Sequence, residues 1–136
     1  NLKQQYRILG LSSYDGLREL LELVGLSDTG RKKAKDFSLG MRQRLGIAIA
    51  LAGNPDFLIL DEPTRGIDIG TKSEIQKLIV KLAGEGKSVL FISSEIEEML
   101  RTCNRMVIMR DGQKVGELTD ELSQEGVMKA IAGGES

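Results

Sequence analysis

Histidine and tryptophan are absent from this chain, and cysteine occurs once. The missing imidazole excludes histidine acid–base chemistry and the common His/Cys metal sites. A lone Cys103 cannot form an internal disulfide, and with no histidine to activate it the thiol reads as half-buried packing. Aromatic residues make up only 4% of the sequence, too few for the stacking platforms that single-stranded nucleic acid requires. Lys and Arg number 19 against 20 Asp and Glu, so a net charge of −1 gives no pull toward nucleic acid. No apolar run approaches the roughly 18 residues of a membrane span, and no signal-peptide pattern is visible. The chain therefore reads as soluble and cytoplasmic. Internal repeats and low-complexity tracts are also absent.

What is present fits a core of ordinary size: 136 residues, 40% hydrophobic. Asn1–Gly10 reads as a short helix and Gly10–Gly16 as a loop. Leu17, Leu20, Leu21 and Val24 recur at helical spacing and stop at Gly25. Gly30–Lys35 is a basic connector, and Leu39 or Met41 to Ala52 is again helical, ending at Gly53-Asn54-Pro55. The pattern then changes. Phe57–Leu60 and Ser88–Ser93 are continuous apolar runs, as expected of strands buried on both faces of a parallel sheet. A helix over Thr71–Leu82 separates them, and another from about Ser94 to Arg101 precedes a third strand, Arg105–Met109. Asp111-Gly112 turns into Lys114–Leu118, and Ser123–Ala132 forms a last helix. The expected fold class is α/β: a helical subdomain over 1–55, then alternating strand and helix over 56–136 with a mainly parallel sheet and a C-terminal hairpin.

Two acids, Asp61 and Glu62, end the first apolar strand, where open α/β sheets bind their ligands. A buried strand delivering one acid to a metal-bound nucleotide and a second beside the attacking water is Walker B logic. Acids preceding a helix N-terminus are the alternative reading. Phe37-Ser-Leu-Gly-Met41, followed by Arg42-Gln43-Arg44, places a hydroxyl and exposed N–H groups at a helix start, an arrangement that suits a phosphate. A plain Ser38 N-cap explains the same pattern.

The order of these segments resembles the ATP-binding cassette (ABC) family of transporter ATPases. Ser38, Leu39, Gly40 and Met41 stand where that family has its signature loop, Leu39 replacing a glycine and Met41 a glutamine. Asp61 and Glu62 stand at Walker B, and Arg65-Gly-Ile-Asp68 at the D-loop. The resemblance implies a partial P-loop NTPase fold that uses ATP and Mg²⁺. Asp61 would hold the metal, Glu62 would activate water, and Ser38–Met41 would reach the nucleotide held by a second cassette. Asp68 would couple the two halves. It also implies a membrane transporter subunit as partner, hence a place at the inner face of the membrane.

The departures are equally informative. No Gly-x-x-x-x-Gly-Lys-Ser/Thr occurs. Gly25–Lys32 has the glycine spacing only, with Arg31 in the lysine's place and a helix, not a strand, before it. The chain therefore resembles the C-terminal portion of a cassette, inactive alone and dependent on a P-loop-bearing segment. A non-catalytic, dimerising module is the alternative. An uncovered sheet flank points to a homodimer or exchanged elements. Ser94 takes the place of the family's switch histidine, a hydroxyl that can hydrogen-bond a phosphate but carries no charge. "DEPTRGID", Ser-Ser-Glu and "RMVIMRDGQKVGEL" resemble the second cassette of bacterial sugar importers. "FSLGMRQRLGIAIALAGNPDFLILDEP" resembles bacitracin-type exporter cassettes. A chimera joined near Asp61–Thr64 and a divergent natural cassette both account for this. A receiver-like signalling domain needs acids on separate strands, which only Asp61 and Glu62 begin to supply. The basic residues Arg31–Lys35, Arg42 and Arg44 read as a solvated face.

Overall fold

The computed structural model describes residues 2–8, 16–29 and 32–133. It divides into two compact units, Asn1–Ile92 and Ser93–Ser136.

In the first unit α1 spans Leu2–Ile8 and α2 spans Leu17–Leu23. The loop expected between them lies almost wholly outside the described residues. At the end of α2 the Leu26 N–H donates to Leu21 O and the Gly25 N–H to Glu22 O, a Schellman closure that tucks Val24 and Leu26 into the core. Part of the basic connector is a single 3₁₀ turn, Ala34–Asp36. Helix α3, Leu39–Leu51, buries Ile47, Ala48 and Leu51. Strand β1, Phe57–Asp61, pairs in parallel with β2, Ser88–Ile92, and α4, Ile69–Gly84, connects them. Helix α4 contacts β2, and α3 contacts β1. Their buried side chains, Ile75, Leu78, Ile79 and Leu82 on α4 among them, share the core with Leu58, Leu60 and Phe91. Lys87 ties two loops together by donating to Asn54 Oδ1 and Pro55 O, at 2.8 and 2.7 Å.

The strands are not buried on both faces. Phe57 is 55% exposed, Ile59 59%, Leu90 47% and Ile92 43%. Residues of a strand alternate between faces, and among the described residues the helices cover only the face carrying Leu58, Leu60 and Phe91. The continuous apolar run does not distinguish a strand covered twice from one covered once.

In the second unit α5 spans Ile96–Thr102, β3 Met106–Arg110, β4 Gln113–Leu118 and α6 Gln124–Ile131. The third strand of the expected alternation, β3, pairs antiparallel with β4. The physical reason is its immediate exit into Asp111-Gly112, both at positive φ (53° and 76°), the two-residue turn that closes a twisted hairpin. The register slips between Ile108 and Met109, leaving Val115 as the extra residue of a bulge. Gly116 is held close to α6, where an added Cβ would stand 2.6 Å from Ala130 Cβ. Ser123 caps α6 by accepting from the Gly126 N–H. Met106, Ile108 and Val127 form the small core, with half-buried Cys103 packed against it. Burial pushes the Cys103 thiol above its ordinary value, and the negative charge of Glu98 adds to the effect. Both causes favour the neutral thiol, which suits a packing role.

Candidate functional site

Ser38 is the N-cap of α3. Its backbone is extended and its hydroxyl accepts from the Met41 N–H at 3.2 Å. That hydrogen bond satisfies one of the orphan donors at the helix start. Ser38 and Leu39 are exposed, Met41 is half-buried and Gly40 is buried. Gly40 lies against α4: a Cβ built on it would stand 2.5 Å from Thr71 Cγ2. Leu39 reaches the segment after β1, its Cδ2 lying 3.5 Å from where a Cβ on Gly66 would be.

Asp68 is the N-cap of α4 and accepts twice from Thr71, from the N–H at 2.9 Å and from the hydroxyl at 2.8 Å. The two residues thus lock one another. The structure brings Ser38–Met41 and Asp68 into one neighbourhood, with Thr71 as the shared contact. Sequence reading did not single out Thr71, because Gly40 and Thr71 meet only through the packing of two helices.

The Asp68 carboxyl is held below its ordinary value of 3.8, first by the Thr71 N–H and then by its hydroxyl. A carboxylate whose folded value is depressed contributes stability above the ordinary value and loses that contribution as pH falls below it. The Thr71 amide resonance should therefore titrate with a midpoint below 3.8, and Asp68→Asn should abolish that titration in an NMR pH series.

Asp61 ends β1 with its side chain exposed, paired in register with Ile92. Glu62 is half-buried and sits at φ 46° in the left-handed region, unusual for a residue other than glycine, asparagine or aspartate. Its backbone is pinned on both sides. The N–H donates to Ile92 O at 2.9 Å, and the carbonyl accepts from the Arg65 N–H at 3.2 Å. Two residues on, Thr64 is buried and its hydroxyl has no hydrogen-bond partner among the described residues. The turn after β1 thus contains a strained backbone and an orphaned hydroxyl. Neither leaves a signal in the sequence.

Ser94 belongs to the second unit, in the turn before α5, and is exposed. Beside it is a residue the sequence reading missed. Glu98 is 0% exposed and its carboxylate accepts from the Ser93 hydroxyl at 2.8 Å. A scan for Ser/Thr-x-x-Asp/Glu pairs Ser94 with Glu97 at this point, whereas the structure uses Ser93 and Glu98.

The imagined P-loop at Gly25–Lys32 follows helix α2, and its second glycine and Arg31 lie outside the described residues. Within the basic run Lys32–Lys35 and Arg42 are exposed. Arg44 is largely buried and pairs with Glu74 at 3.1 Å. A cleft of about 350 Å³ opens between Glu22, Gly25, Arg44 and Glu74; none of the candidate site residues lines it. Among the described residues no helix is long and apolar enough to cross a membrane.

Asp61 offers a hard oxygen donor of the type that Mg²⁺ takes. The described residues hold no group of three or more His, Cys, Asp or Glu side chains suited to a metal. A single carboxylate fits Mg²⁺, an ion that usually keeps several waters and takes phosphate oxygens alongside one or two carboxylates.

Residues 1–65 match the family model described as ABC transporter. The ribose import ATP-binding protein RbsA 2 of Rubrobacter xylanophilus is 53% identical over 95 residues, 69% of this chain and 18% of that protein. A ribose import ATP-binding protein RbsA of Caldanaerobacter subterraneus is 40% identical over 121 residues, 88% of this chain and 24% of that protein. The fructose import ATP-binding protein FruK of Bifidobacterium longum is 44% identical over 103 residues, 74% of this chain and 20% of that protein. Among solved structures, a nucleotide-free ATP-binding cassette from an ABC transporter superposes with a TM-score of 0.76 at 24% identity. That match covers 87% of this chain and 46% of the other. The ADP conformation of another ABC transporter cassette gives 0.72 at the same 24% identity, over 87% and 45%. The chain thus spans about a fifth of the length of these curated relatives. Its α/β fold is that of ABC ATPase cassettes, a P-loop NTPase fold.

Proposed function

We propose that this chain is the signature-loop and Walker B portion of an ABC transporter ATPase that powers sugar import. The observation that carries the reading is the turn after β1. Asp61 and Glu62 stand at the carboxyl end of a strand, with Glu62 held at φ 46° and the buried Thr64 hydroxyl without a partner among the described residues. Such local costs persist where the surrounding structure imposes them, and they cluster at working sites. The import proteins RbsA and FruK among the relatives support a sugar as the solute.

Asp61 would hold Mg²⁺, which when bound neutralises phosphate charge. Glu62 would accept a proton from the attacking water or orient it. Ser38 and the N–H groups of Leu39 and Gly40 form the start of a 13-residue helix, suited to phosphate oxygens held by a second cassette, while the Met41 N–H holds the Ser38 hydroxyl in place. Asp68, at the start of α4, would transmit between the halves. Ser94 would hydrogen-bond the terminal phosphate in place of a cationic side chain. In this division of labour residues 1–55 supply the part acting on the partner's nucleotide, and 56–136 supply metal, water and switch positions. A P-loop-bearing segment or second cassette completes the site. A membrane transporter subunit is the further partner, at the cytoplasmic face. A homodimer is the alternative assembly, in which the chain is a non-catalytic module.

The match to one RbsA over 88% of this chain crosses Asp61–Thr64, as a divergent natural cassette and a chimera of two related cassettes both would.

Calorimetric titration with Mg²⁺–ATP tests the reading. The chain alone should give no saturable heat up to millimolar ATP, since the main phosphate cradle, a P-loop lysine and its nest of N–H groups, is absent from the sequence. Adding a P-loop-bearing cassette should restore turnover, and Glu62→Gln should lower it about a hundredfold or more. Turnover that persists undiminished in Glu62→Gln would remove the assignment.

A further inference from the structure

Among the described residues of the second unit Glu98 is the one charged side chain with 0% exposure, and a buried carboxylate is unfavourable unless something is gained by placing it there. Its surroundings show what is gained. The Glu95 N–H donates to Ser93 Oγ at 3.1 Å, and the Ser93 hydroxyl donates its proton to Glu98 Oε2 at 2.8 Å. Glu95 is the N-cap of α5, its own side chain makes no capping hydrogen bond, and Glu98 is the third residue of the helix. In an ordinary capping box the third residue reaches straight back to the N-cap N–H. Here a serine hydroxyl is inserted between them.

The insertion has a geometric consequence. Ser93 and Glu95 are both tied into the relay, and Ser94 is the residue between them. A serine or aspartate at position 95 would cap the helix alone, without a buried charge. The longer relay does more: it fixes the chain on each side of Ser94. The carboxylate is suited to this task, because the first turn of a helix favours negative charge and a charged acceptor strengthens the hydrogen bond from Ser93. The Thr102 hydroxyl meanwhile donates to Glu98 O at 2.8 Å, anchoring the same residue from the far end of α5.

We propose that Glu98 is a positioning residue for Ser94, holding the 93–95 turn through the Ser93 hydroxyl. The consequence for turnover rests on the role proposed above for Ser94; the relay itself does not.

The test is NMR on the isotopically labelled chain carrying Glu98→Ala, Glu98→Gln, Ser93→Ala or Ser93→Thr. Glu98→Ala should speed exchange of the Glu95 amide about tenfold, as expected for one lost hydrogen bond. The Ser94 order parameter should fall from the rigid range near about 0.85 to below roughly 0.6. Glu98→Gln keeps an acceptor oxygen and Ser93→Thr keeps the hydroxyl, so both should restore the Ser94 signal. The Met99 and Cys103 amides, bonded within α5 to Glu95 O and Met99 O, should keep their protection. A purely structural role would move those amides together with Ser94, and that result overturns the proposal. So does an unchanged Ser94 order parameter in Ser93→Ala, the variant that decides the matter should Glu98→Ala not fold. A separate outcome, Ser94→Ala leaving turnover of the completed site intact, would retire the catalytic role of Ser94 while the NMR result stood.

Discussion

Gly40→Ala should lower the stability of the chain by about 1–3 kcal/mol, the usual cost of forcing a methyl group into packed space. The new Cβ would stand 2.5 Å from Thr71 Cγ2 and 3.3 Å from Thr71 Cβ. Thr71 cannot simply rotate away, because its hydroxyl is committed to Asp68 at 2.8 Å and its N–H to the same carboxylate. Replacing glycine in a helix gains at most about 1 kcal/mol of propensity, and less in the first turn, so the clash prevails. Adding Thr71→Ser deletes Cγ2 and keeps the hydroxyl. The double variant should therefore recover most of the loss, and urea unfolding of the four chains reads the coupling directly. If the two changes prove merely additive, the close approach is not what fixes Gly40.

The same contact bears on variants of the Ser38–Met41 loop made to test its proposed approach to phosphate. A loss of ATP response in Gly40→Ala could come from a displaced α4 N-cap as readily as from a lost phosphate approach. The Gly40→Ala/Thr71→Ser background separates them, since it relieves the clash with Thr71 while alanine stays at position 40.

Local chemistry was legible where a residue acts on its own neighbours. Ser38 and Asp111-Gly112 announce a cap and a hairpin turn, and each performs that task. The position of Asp61 and Glu62 at the end of β1 was legible too, from the apolar run that leads into them. Three features were not legible, each for a physical reason. The left-handed backbone of Glu62 is imposed by Ile92 and Arg65, not chosen by the glutamate. Gly40 meets Thr71 through helix packing that no spacing rule specifies. The Glu98 relay employs a serine outside the positions a capping box names, so the pattern points to Ser94 and Glu97 instead. In each case the deciding partner lies outside the short-range pattern.

Adjacent residues of β1 should give opposite results. Leu58→Ala should cost about 2–5 kcal/mol, the range for emptying a packed aliphatic site, since Leu58 is 3% exposed in the face covered by the helices. Ile59→Ala should cost under about 1 kcal/mol, chiefly lost strand preference, since Ile59 is 59% exposed on the other face. In the sequence the two are interchangeable members of Phe57–Leu60, and a strand buried on both faces would make them equally sensitive. Matched urea midpoints would restore that reading of β1 and require a cover for the Phe57, Ile59, Leu90 and Ile92 face in solution. Separation of the midpoints, with unchanged slopes, would locate the stability of the parallel pair on the single face that Leu58 shares with Leu60 and Phe91.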